Sequence, residues 1–491
     1  MSKTLPIAVG ALIIVAAGTT GVAWYTGTQV EPLLRQQVVD GNKQLEEALA
    51  GYGATSTLEM TSFERRLFTS TAHYVMTVQS PGFNGGQPLQ VDSVADIEHG
   101  PFPWSRVKQL KLLPVMVAMN VRVQGSDGLA QLFGTPPGES PVQAHAAISY
   151  SRNLESQVNI LPGQWQGPQG TFKFSGMQGV QRGSLDAKKL EVDVQTDSLE
   201  FTASDPARPM TLLMQGFKFH TGGIKGASDF YLGNSSLRID SMAATAPGKP
   251  LFKVNNLTAE GSLEELSGKL KGSGDYRFEA VSIGDKPIGS GQMRWVFDNL
   301  DIEASRNLTH FYQYVVAPQA AAASQAQVPL RLQLTPVQQA ELQTNLEKLL
   351  EGRPHVELQP LGLKTATGES HLNVSLDLAR PSNLDLPGEL LAQQMVSKVD
   401  AQLSVAKGTI CDLVTVQGQL GGLTDPISLK RNADGAANLA STMATLQGLA
   451  KLEGENIVSS LRYEAGNVDF NGQKMTVEQF AQFLMGAVGR Q

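Results

Sequence analysis

The sequence predicts a mainly β fold with covering helices (α+β), in which one N-terminal transmembrane helix is followed by long antiparallel β-meanders. The first observation is a run of 27 residues without a charged side chain, from Thr4 to Val30. Beyond this run, apolar and polar residues alternate in many segments, which is the pattern of half-buried strands. The 49 glycines fall largely between these segments, where turns are expected.

The uncharged run is long enough for a membrane-spanning helix, which needs about 20 apolar residues. Trp24 and Tyr25 lie near its end, where aromatic residues mark a membrane interface. We therefore expect residues 1–27 to be an uncleaved, single-pass anchor, with the bulk of the chain beyond the membrane. A cleaved signal peptide is the alternative, but its apolar core is shorter, about 7–15 residues. The only tolerable cleavage site, Gly21-Val22-Ala23, is followed directly by the bulky Trp24.

Two β-rich segments, residues 51–300 and 353–491, carry most of the alternation. In the first segment, Leu190, Val192 and Val194 alternate with polar neighbours. In the second, the same pattern runs from Leu372 to Leu378. Strands of this kind form antiparallel sheets with one dry face and one wet face.

Helical patterns occur before, between and after these strands. We expect a membrane-proximal helix at residues 28–50, a helical segment at 301–352 and a C-terminal helix from Thr476 to Val488. Within the middle segment, Thr335 is placed as an N-cap and Pro336 as the first helical residue. Residues 382–410, with Val396 and Val399, predict a further helix packed on the second sheet. The simplest interpretation is that all of these helices cover β-surfaces.

Net charge and cysteine content limit the classes of partner and the cellular compartments that fit this chain. The net charge of −7 gives no basic footprint for nucleic acid, and it also argues against a surface that binds anionic headgroups. Cys411 is the only cysteine, so no intrachain disulfide can form although an exported compartment would permit one. Exported eukaryotic domains of this size more often carry disulfides, so a single cysteine points to a bacterial protein.

A search for catalytic motifs finds none of the nucleophile-elbow, phosphate-loop, dinucleotide-binding or zinc-protease signatures. The seven histidines are widely separated and lack metal-ligand spacing, and His220, His355 and His371 fall on polar positions of strand patterns. Cys411, beside Ile410 and Leu413, is expected to be a small buried hydrophobe rather than a nucleophile. The sequence therefore assigns no catalytic residue, no cofactor site and no metal ligand.

One loop, His99-Gly100-Pro101-Phe102-Pro103, is the candidate functional site. Two prolines around an aromatic residue make a rigid, extended turn with a polar tip. In the functional interpretation, His99 serves recognition or catalysis. In the structural interpretation, which we favour, the loop joins two strands and Phe102 and Trp104 pack beneath it.

Four short motifs resemble a known family: Trp24-Tyr25-Thr26-Gly27, His99 to Pro103, Gly368-Glu369-Ser370 and Asn471-Gly472-Gln473-Lys474-Met475. In this order and spacing they look like the YdgA-type family of Gram-negative envelope proteins, a family of unknown function. The resemblance covers the chain from the anchor to the C-terminal helix. It implies an inner-membrane protein with a periplasmic body that forms a homodimer, and it supplies no catalytic residues.

Two functions fit these observations. The first is a non-enzymatic envelope protein whose β-surface or groove binds lipid or a partner protein. The second is an envelope hydrolase with an unrecognised site around His99. The absence of catalytic motifs favours the first.

Overall fold

The computed structural model describes residues 30–488 except 50–53, 67–68, 80–85, 100–101, 125–132, 134–139, 168–169, 206, 208, 248, 327 and 384–387. The predicted anchor at residues 1–27, with Trp24 and Tyr25, lies outside the described residues. Within the described part of the chain, no helix is both long and apolar enough to cross a membrane. The chain divides into two compact units. The first unit comprises Met1–Gly233 and Leu308–Gln338, and the second comprises Asn234–Asn307 and Gln339–Gln491.

The structure is mainly β, with antiparallel strands and fewer helices. The strands are β1 (Thr55–Arg65), β2 (Thr69–Gln79), β3 (Leu89–His99), β4 (Val115–Val123), β5 (Val142–Ser149), β6 (Asn153–Ile160), β7 (Gly163–Gly167), β8 (Gly170–Phe174), β9 (Met177–Ser184), β10 (Lys189–Ala203), β11 (Thr211–Lys225), β12 (Tyr231–Ala246), β13 (Lys249–Leu266), β14 (Lys269–Ile283), β15 (Lys286–Asp301), β16 (His355–Lys364), β17 (Glu369–Leu378), β18 (Val396–Ala406), β19 (Lys451–Glu453), β20 (Asn456–Glu464), β21 (Asn467–Phe470) and β22 (Gln473–Thr476).

The helices are α1 (Val30–Leu49), α2 (Trp104–Lys108), α3 (Ile302–Phe311), α4 (Ala317–Gln325), α5 (Pro336–Glu351), α6 (Gly388–Met395), α7 (Lys407–Leu420), α8 (Pro426–Leu446) and α9 (Val477–Val488), with a π-helical turn at Tyr312–Val316 between α3 and α4. The predicted N-cap at Thr335 is confirmed, since its Oγ1 accepts the Gln338 N–H at 3.3 Å. The Gln338 side chain accepts the Thr335 N–H in return, at 2.9 Å, which completes a capping box. Thr476 and Gln479 repeat this arrangement at the start of α9.

In the first unit, β1 to β6 form an antiparallel meander, and the pairing continues from β6 to β9, β10 and β11. One face of β2 to β6 is largely buried. Along β2 every second side chain is buried, from Ser70 to Val78, because strand side chains alternate between the two faces. Tyr74, Ile97 and Ile148 lie at the centre of this core.

Helix α1 packs against the outer strand of this meander, and Leu34 from the helix is buried in the core. The amide of Asn42 also reaches the backbone of β1. It donates to the Leu58 carbonyl at 2.9 Å and accepts the Leu58 N–H at 2.7 Å. These contacts place α1 along the edge of the sheet.

In the second unit, β13 to β18 pair in chain order, β18 pairs with β20, and β20 carries the short strands β19 and β21. Strand β22 pairs with β21. Helices α7 and α8 pack against each other, and α7 contacts β15, β17 and β18. The Asp412 carboxylate of α7 accepts the Thr367 N–H at 2.7 Å, which fixes the helix beside the β16–β17 turn.

The helix predicted across residues 382–410 is wrong for its second half. Val396–Ala406 is strand β18, paired on one side with β17 and on the other with β20. Helices α7 and α8 lie in a segment that was assigned to strands. The start of α8 carries a recognisable signal, because Asp425 accepts the Ser428 N–H at 2.9 Å and Pro426 follows as the first helical residue.

Candidate functional site

The second unit carries an apolar sheet face on β15 to β18. Directly opposite residues on paired strands share one face. Three rows of four therefore cross these strands: Met293, Leu361, Leu372 and Leu403; Trp295, Leu358, Val374 and Ala401; Phe297, Val356, Leu376 and Val399. We call these residues the apolar face. The opposite side of the same strands is polar, as in the row of Asp298, His355, Asp377 and Lys398.

The apolar face remains in partial contact with solvent. Among all residues of β15, β16 and β17, strands that the structure describes in full, no side chain is fully buried. Val356, Leu361 and Leu403 are 38%, 43% and 41% exposed. The core of the first unit contrasts with this, since its residues are at most 8% exposed. The apolar face is therefore a surface with unburied hydrocarbon rather than a finished core.

Glycines on β14 extend the apolar face under its aromatic rings. Gly274 lies opposite Trp295 and Gly272 lies opposite Phe297. A Cβ at Gly274 would fall 2.5 Å from Trp295 Nε1, and one at Gly272 would fall 2.4 Å from Phe297 Cζ. The two rings therefore lie across the backbone of β14, and they stack on each other with centroids 5.5 Å apart. Only glycine leaves room for this arrangement.

The predicted loop is described at His99, Phe102 and Pro103, whereas Gly100 and Pro101 lie outside the described residues. His99 Nε2 is 3.2 Å from the Ser70 hydroxyl oxygen. Ser70 is only 1% exposed, so a substrate carbonyl has no route to this hydroxyl in the observed arrangement. The pair holds β2 and β3 together, and it does not have the accessible nucleophile that the hydrolase hypothesis requires.

The expected packing of Phe102 and Trp104 beneath the loop is wrong, because they are 60% and 63% exposed. Pro103 caps the short helix α2, and its carbonyl accepts the N–H groups of Arg106 and Val107. The helix thus begins directly after the prolines and places Trp104 in solvent, where the Lys108 ammonium lies 5.7 Å from its ring centroid. This contact is a cation–π interaction.

A polar cluster on the first unit brings together Glu191, Asp193 and His220, one ligand atom of each lying within 4.8 Å of the others. His220 Nδ1 is 2.7 Å from Asp193 Oδ1. The Arg182 guanidinium contacts both carboxylates at 3.4 Å, and its single positive charge offsets part of their negative charge. All four side chains are at least 35% exposed, so the arrangement suits a surface ion-pair network better than a cation site.

Cys411 is partly exposed rather than buried, which corrects the expectation of a buried hydrophobe. Its Sγ is 3.9 Å from Asp434 Oδ1. Partial burial raises the pKa of the Cys411 thiol, and the negative charges of Asp434 and Asp412 raise it further. The thiolate form is therefore suppressed, and Cys411 is poorly suited to nucleophilic chemistry.

Comparison with known proteins places these features in a family context. The DUF945 family, described as a bacterial protein of unknown function, matches residues 1–478. The chain is similar to Protein YdgA of Escherichia coli (strain K12), with 26% identity over 500 residues that cover 99% of this chain and 98% of that protein. It is also similar to Uncharacterized protein YihF of the same strain, with 24% identity over 483 residues, or 96% and 97% of the two chains. No solved structure matches the chain.

Proposed function

The chain belongs to the DUF945 family of bacterial proteins of unknown function, and we propose that it is a non-enzymatic envelope protein whose apolar face holds the acyl chains of a lipid. The main support for this proposal is that the side chains of that face are almost all apolar and yet remain partly exposed to solvent. Of its twelve side chains, Trp295 alone carries a polar atom. An occupant of this surface therefore needs no hydrogen-bonding groups, which is the property of hydrocarbon.

A partner protein fits this chemistry less well than lipid. The residues that dominate protein–protein affinity are enriched in Trp, Tyr and Arg, whereas Leu and Val are under-represented among them. The apolar face consists mostly of Leu and Val and contains no arginine. Acyl chains, by contrast, bind through release of water from apolar surface, without directional contacts.

The size and energetics of the face are consistent with acyl binding. Three rows along the strands and four strands across give roughly 14 Å in each direction. The hydrocarbon of one membrane leaflet is roughly 15 Å thick, half of the core of a bilayer. Val356, Leu361 and Leu403 are about two-fifths exposed, and covering these three alone contributes roughly 2–4 kcal/mol.

Site-specific photo-crosslinking tests the proposal in the full chain in its native membrane. A photoreactive phenylalanine analogue replaces Leu361 on the apolar face or, as the matched control, Gln402 on the polar side of β18. Both positions are exposed. After irradiation, mass spectrometry of the purified protein should find lipid adducts at position 361 and not at 402. Protein adducts alone at 361, or equal lipid adducts at both positions, would refute acyl binding on this face.

We also propose that residues 1–27 anchor the protein in the inner membrane and that the remainder lies in the periplasm. The long uncharged run in the sequence supports this topology. Alkaline phosphatase fused after Gln491 should be active, because the reporter needs disulfides that form in the periplasm. A green fluorescent reporter at the same place should be dark, because it does not become fluorescent when it is exported unfolded. Inactive alkaline phosphatase together with a bright fluorescent reporter would refute the topology.

A homodimer is the further proposal that the family resemblance supports. Native mass spectrometry of the detergent-extracted full chain should give twice the monomer mass of 52.6 kDa. A monomer mass at all protein concentrations would contradict it.

A further inference from the structure

A segment between α4 and α5, residues 328–334, has the sequence of a strand but lies outside every sheet of the described chain. Every second position is apolar: Val328, Leu330, Leu332 and Leu334. A period of two is the pattern of a strand with one covered side. Val328, Leu330 and Leu332 are nevertheless 55%, 46% and 45% exposed. Val328 still closes the end of α4, because its N–H donates to the Ala323 carbonyl at 3.0 Å.

The side chain of Gln319 in α4 holds this segment extended. Its amide accepts the Gln333 N–H at 2.8 Å and donates to the Gln333 carbonyl at 3.1 Å. Asn42 binds Leu58 of β1 through the same pair of bonds. In a strand, the N–H and C=O of one residue point to the same edge, and those of its neighbours point to the opposite edge. Gln333 therefore has the backbone of a strand residue, and its edge faces α4.

The other edge of the segment is formed by Leu330, Leu332 and Leu334. Alternation from Gln333 directs the backbone groups of these three residues away from α4. Pro329 has no N–H, and the same alternation places its nitrogen on the edge that faces α4. A proline interrupts a β-ladder only on the edge toward which its nitrogen points. The leucine edge is therefore continuous from residue 330 to residue 334.

A second copy of the same segment fits the leucine edge. When Leu332 of the two copies lie opposite each other in antiparallel strands, Leu330 of one copy is opposite Leu334 of the other. Arg331 is then opposite Gln333. Directly opposite residues share a face, so the leucines of both copies form one apolar face and the polar residues form the other. Each opposed pair of leucines exchanges two backbone hydrogen bonds.

Other symmetric registers of this pair are excluded by the residues that they would engage. Centring on Arg331 would use the edge that Gln319 occupies, and it would bring two positive charges together, which is destabilising. Centring on Leu330 would engage the N–H of Val328, which is already bonded at the end of α4. Centring on Leu334 would extend the pairing into helix α5. The segment is therefore self-complementary in one register.

We infer that residues 329–334 pair with the same residues of a second copy, about a two-fold axis at Leu332. This interface rests on the homodimer proposed above and gives it a location. Two-fold dimers are the commonest homo-oligomers, and each brings one patch against itself. A short strand pair alone is marginal in water, and the exposed Val328 and Val337 beside the segment add apolar area to the contact. The interface uses no residue of the apolar face, so acyl binding and this pairing can fail separately.

Cysteine crosslinking of the full chain in its membrane tests the register. In a Cys411→Ser background, Leu332→Cys places two Cα atoms about 5.5 Å apart, within the range of about 4.4–6.8 Å that a disulfide spans. Leu330→Cys is the matched control, because it replaces an equally exposed leucine. In the proposed register, the Leu330 positions of the two copies lie about 13 Å apart along the strands. Mild oxidation should give a covalent dimer, twice 52.6 kDa, about tenfold faster at position 332 than at position 330.

A second set of variants tests the backbone pairing. Leu330→Cys combined with Leu334→Cys should crosslink, since each cysteine faces the other residue of the second copy. Adding Leu332→Pro removes an N–H from the leucine edge and should abolish this crosslink. Adding Arg331→Pro instead removes an N–H from the edge that faces α4 and should preserve it.

Several results would overturn this interface. Equal crosslinking at positions 330 and 332 would show random collision, and crosslinks from position 332 to other proteins would show a different partner. Equal effects of the two proline variants would exclude pairing through the leucine edge. A dimer mass in native mass spectrometry without a crosslink at position 332 would refute the interface and leave the homodimer standing. A monomer mass without that crosslink would refute both.

Discussion

Replacing Gly274 with alanine should destabilise the second unit, because the new methyl group would occupy the space of the Trp295 ring. A Cβ at this position would lie 2.5, 2.6 and 2.9 Å from Trp295 Nε1, Cε2 and Cζ2. Carbon atoms pack favourably at about 3.5–4.0 Å, so the ring must move by roughly 1 Å. Glycine is therefore required here by the neighbouring strand rather than by its own backbone.

The expected cost follows from three contributions. Overpacking costs roughly 1–3 kcal/mol, and loss of the stack on Phe297 costs roughly 0.5–1.5 kcal/mol. Replacing glycine in a strand recovers roughly 0.5–1 kcal/mol. The net destabilisation is about 2 kcal/mol, which corresponds to about thirtyfold in the local opening equilibrium.

Hydrogen exchange measured by mass spectrometry reads this local opening directly. Peptides from β14 and β15 should exchange about thirtyfold faster in Gly274→Ala. Gly435→Ala is the control, because a Cβ on this α8 glycine meets nothing within 4 Å. It should stabilise its helix by about 1 kcal/mol. Adding Trp295→Leu to Gly274→Ala should reduce the effect of the alanine. Unchanged exchange in Gly274→Ala, or no coupling to Trp295, would refute the reasoning.

Three further predictions concern stability. Phe102→Ala should lower the free energy of unfolding by about 1 kcal/mol or less, since the ring is 60% exposed. Ile97→Ala in the core should lower it by about 2–5 kcal/mol, and urea unfolding measures both changes. Asn471 accepts the Ser460 N–H at 2.8 Å and has a φ of 54°. Asn471→Ala should therefore lower the local stability of β20 by about 3 kcal/mol, as measured by hydrogen exchange. Asn471→Gly should lower it by about 1 kcal/mol less, because glycine adopts a positive φ without strain. Burial raises the pKa of Asp301, but hydrogen bonds from Ala304 and Lys269 outweigh it, and the net pKa is lowered. Asp301 thus stabilises the fold at pH values above its unfolded pKa of about 3.9, and this contribution is lost as the pH falls through its folded pKa. In thermal melts below about pH 4, Asp301→Asn should therefore lose less stability on acidification than the wild type does.

Much of the β-structure and the family could be predicted from the sequence. The alternation from Leu372 to Leu378 predicted a strand with a dry face. The strand is confirmed as β17, but its apolar side is only half-buried, because no residue of β17 is fully buried. The family resemblance based on four short motifs is confirmed by a match over residues 1–478. Alternation cannot supply register, however, so the alignment of Leu361, Leu372 and Leu403 into one row became visible only in the structure.

The errors have identifiable causes. Val396 and Val399 are spaced as on a helix, but Val399, Ala401, Leu403 and Val405 alternate, and pairing with strands on both sides decided the outcome. Burial of Phe102 was inferred from its apolar character alone, which does not reveal whether anything lies beneath it.

The amide of Asn42 has a consequence for how this protein can meet other chains. An outer strand normally offers a row of free N–H and C=O groups to which a second β-strand can add, in aggregation or in peptide capture. At Leu58 both groups are already taken by one side chain that imitates the peptide unit of an incoming strand. Growth of the sheet by a foreign strand is therefore blocked in the first half of β1. A second molecule that approaches this side must bind helix α1 instead of joining the β-ladder.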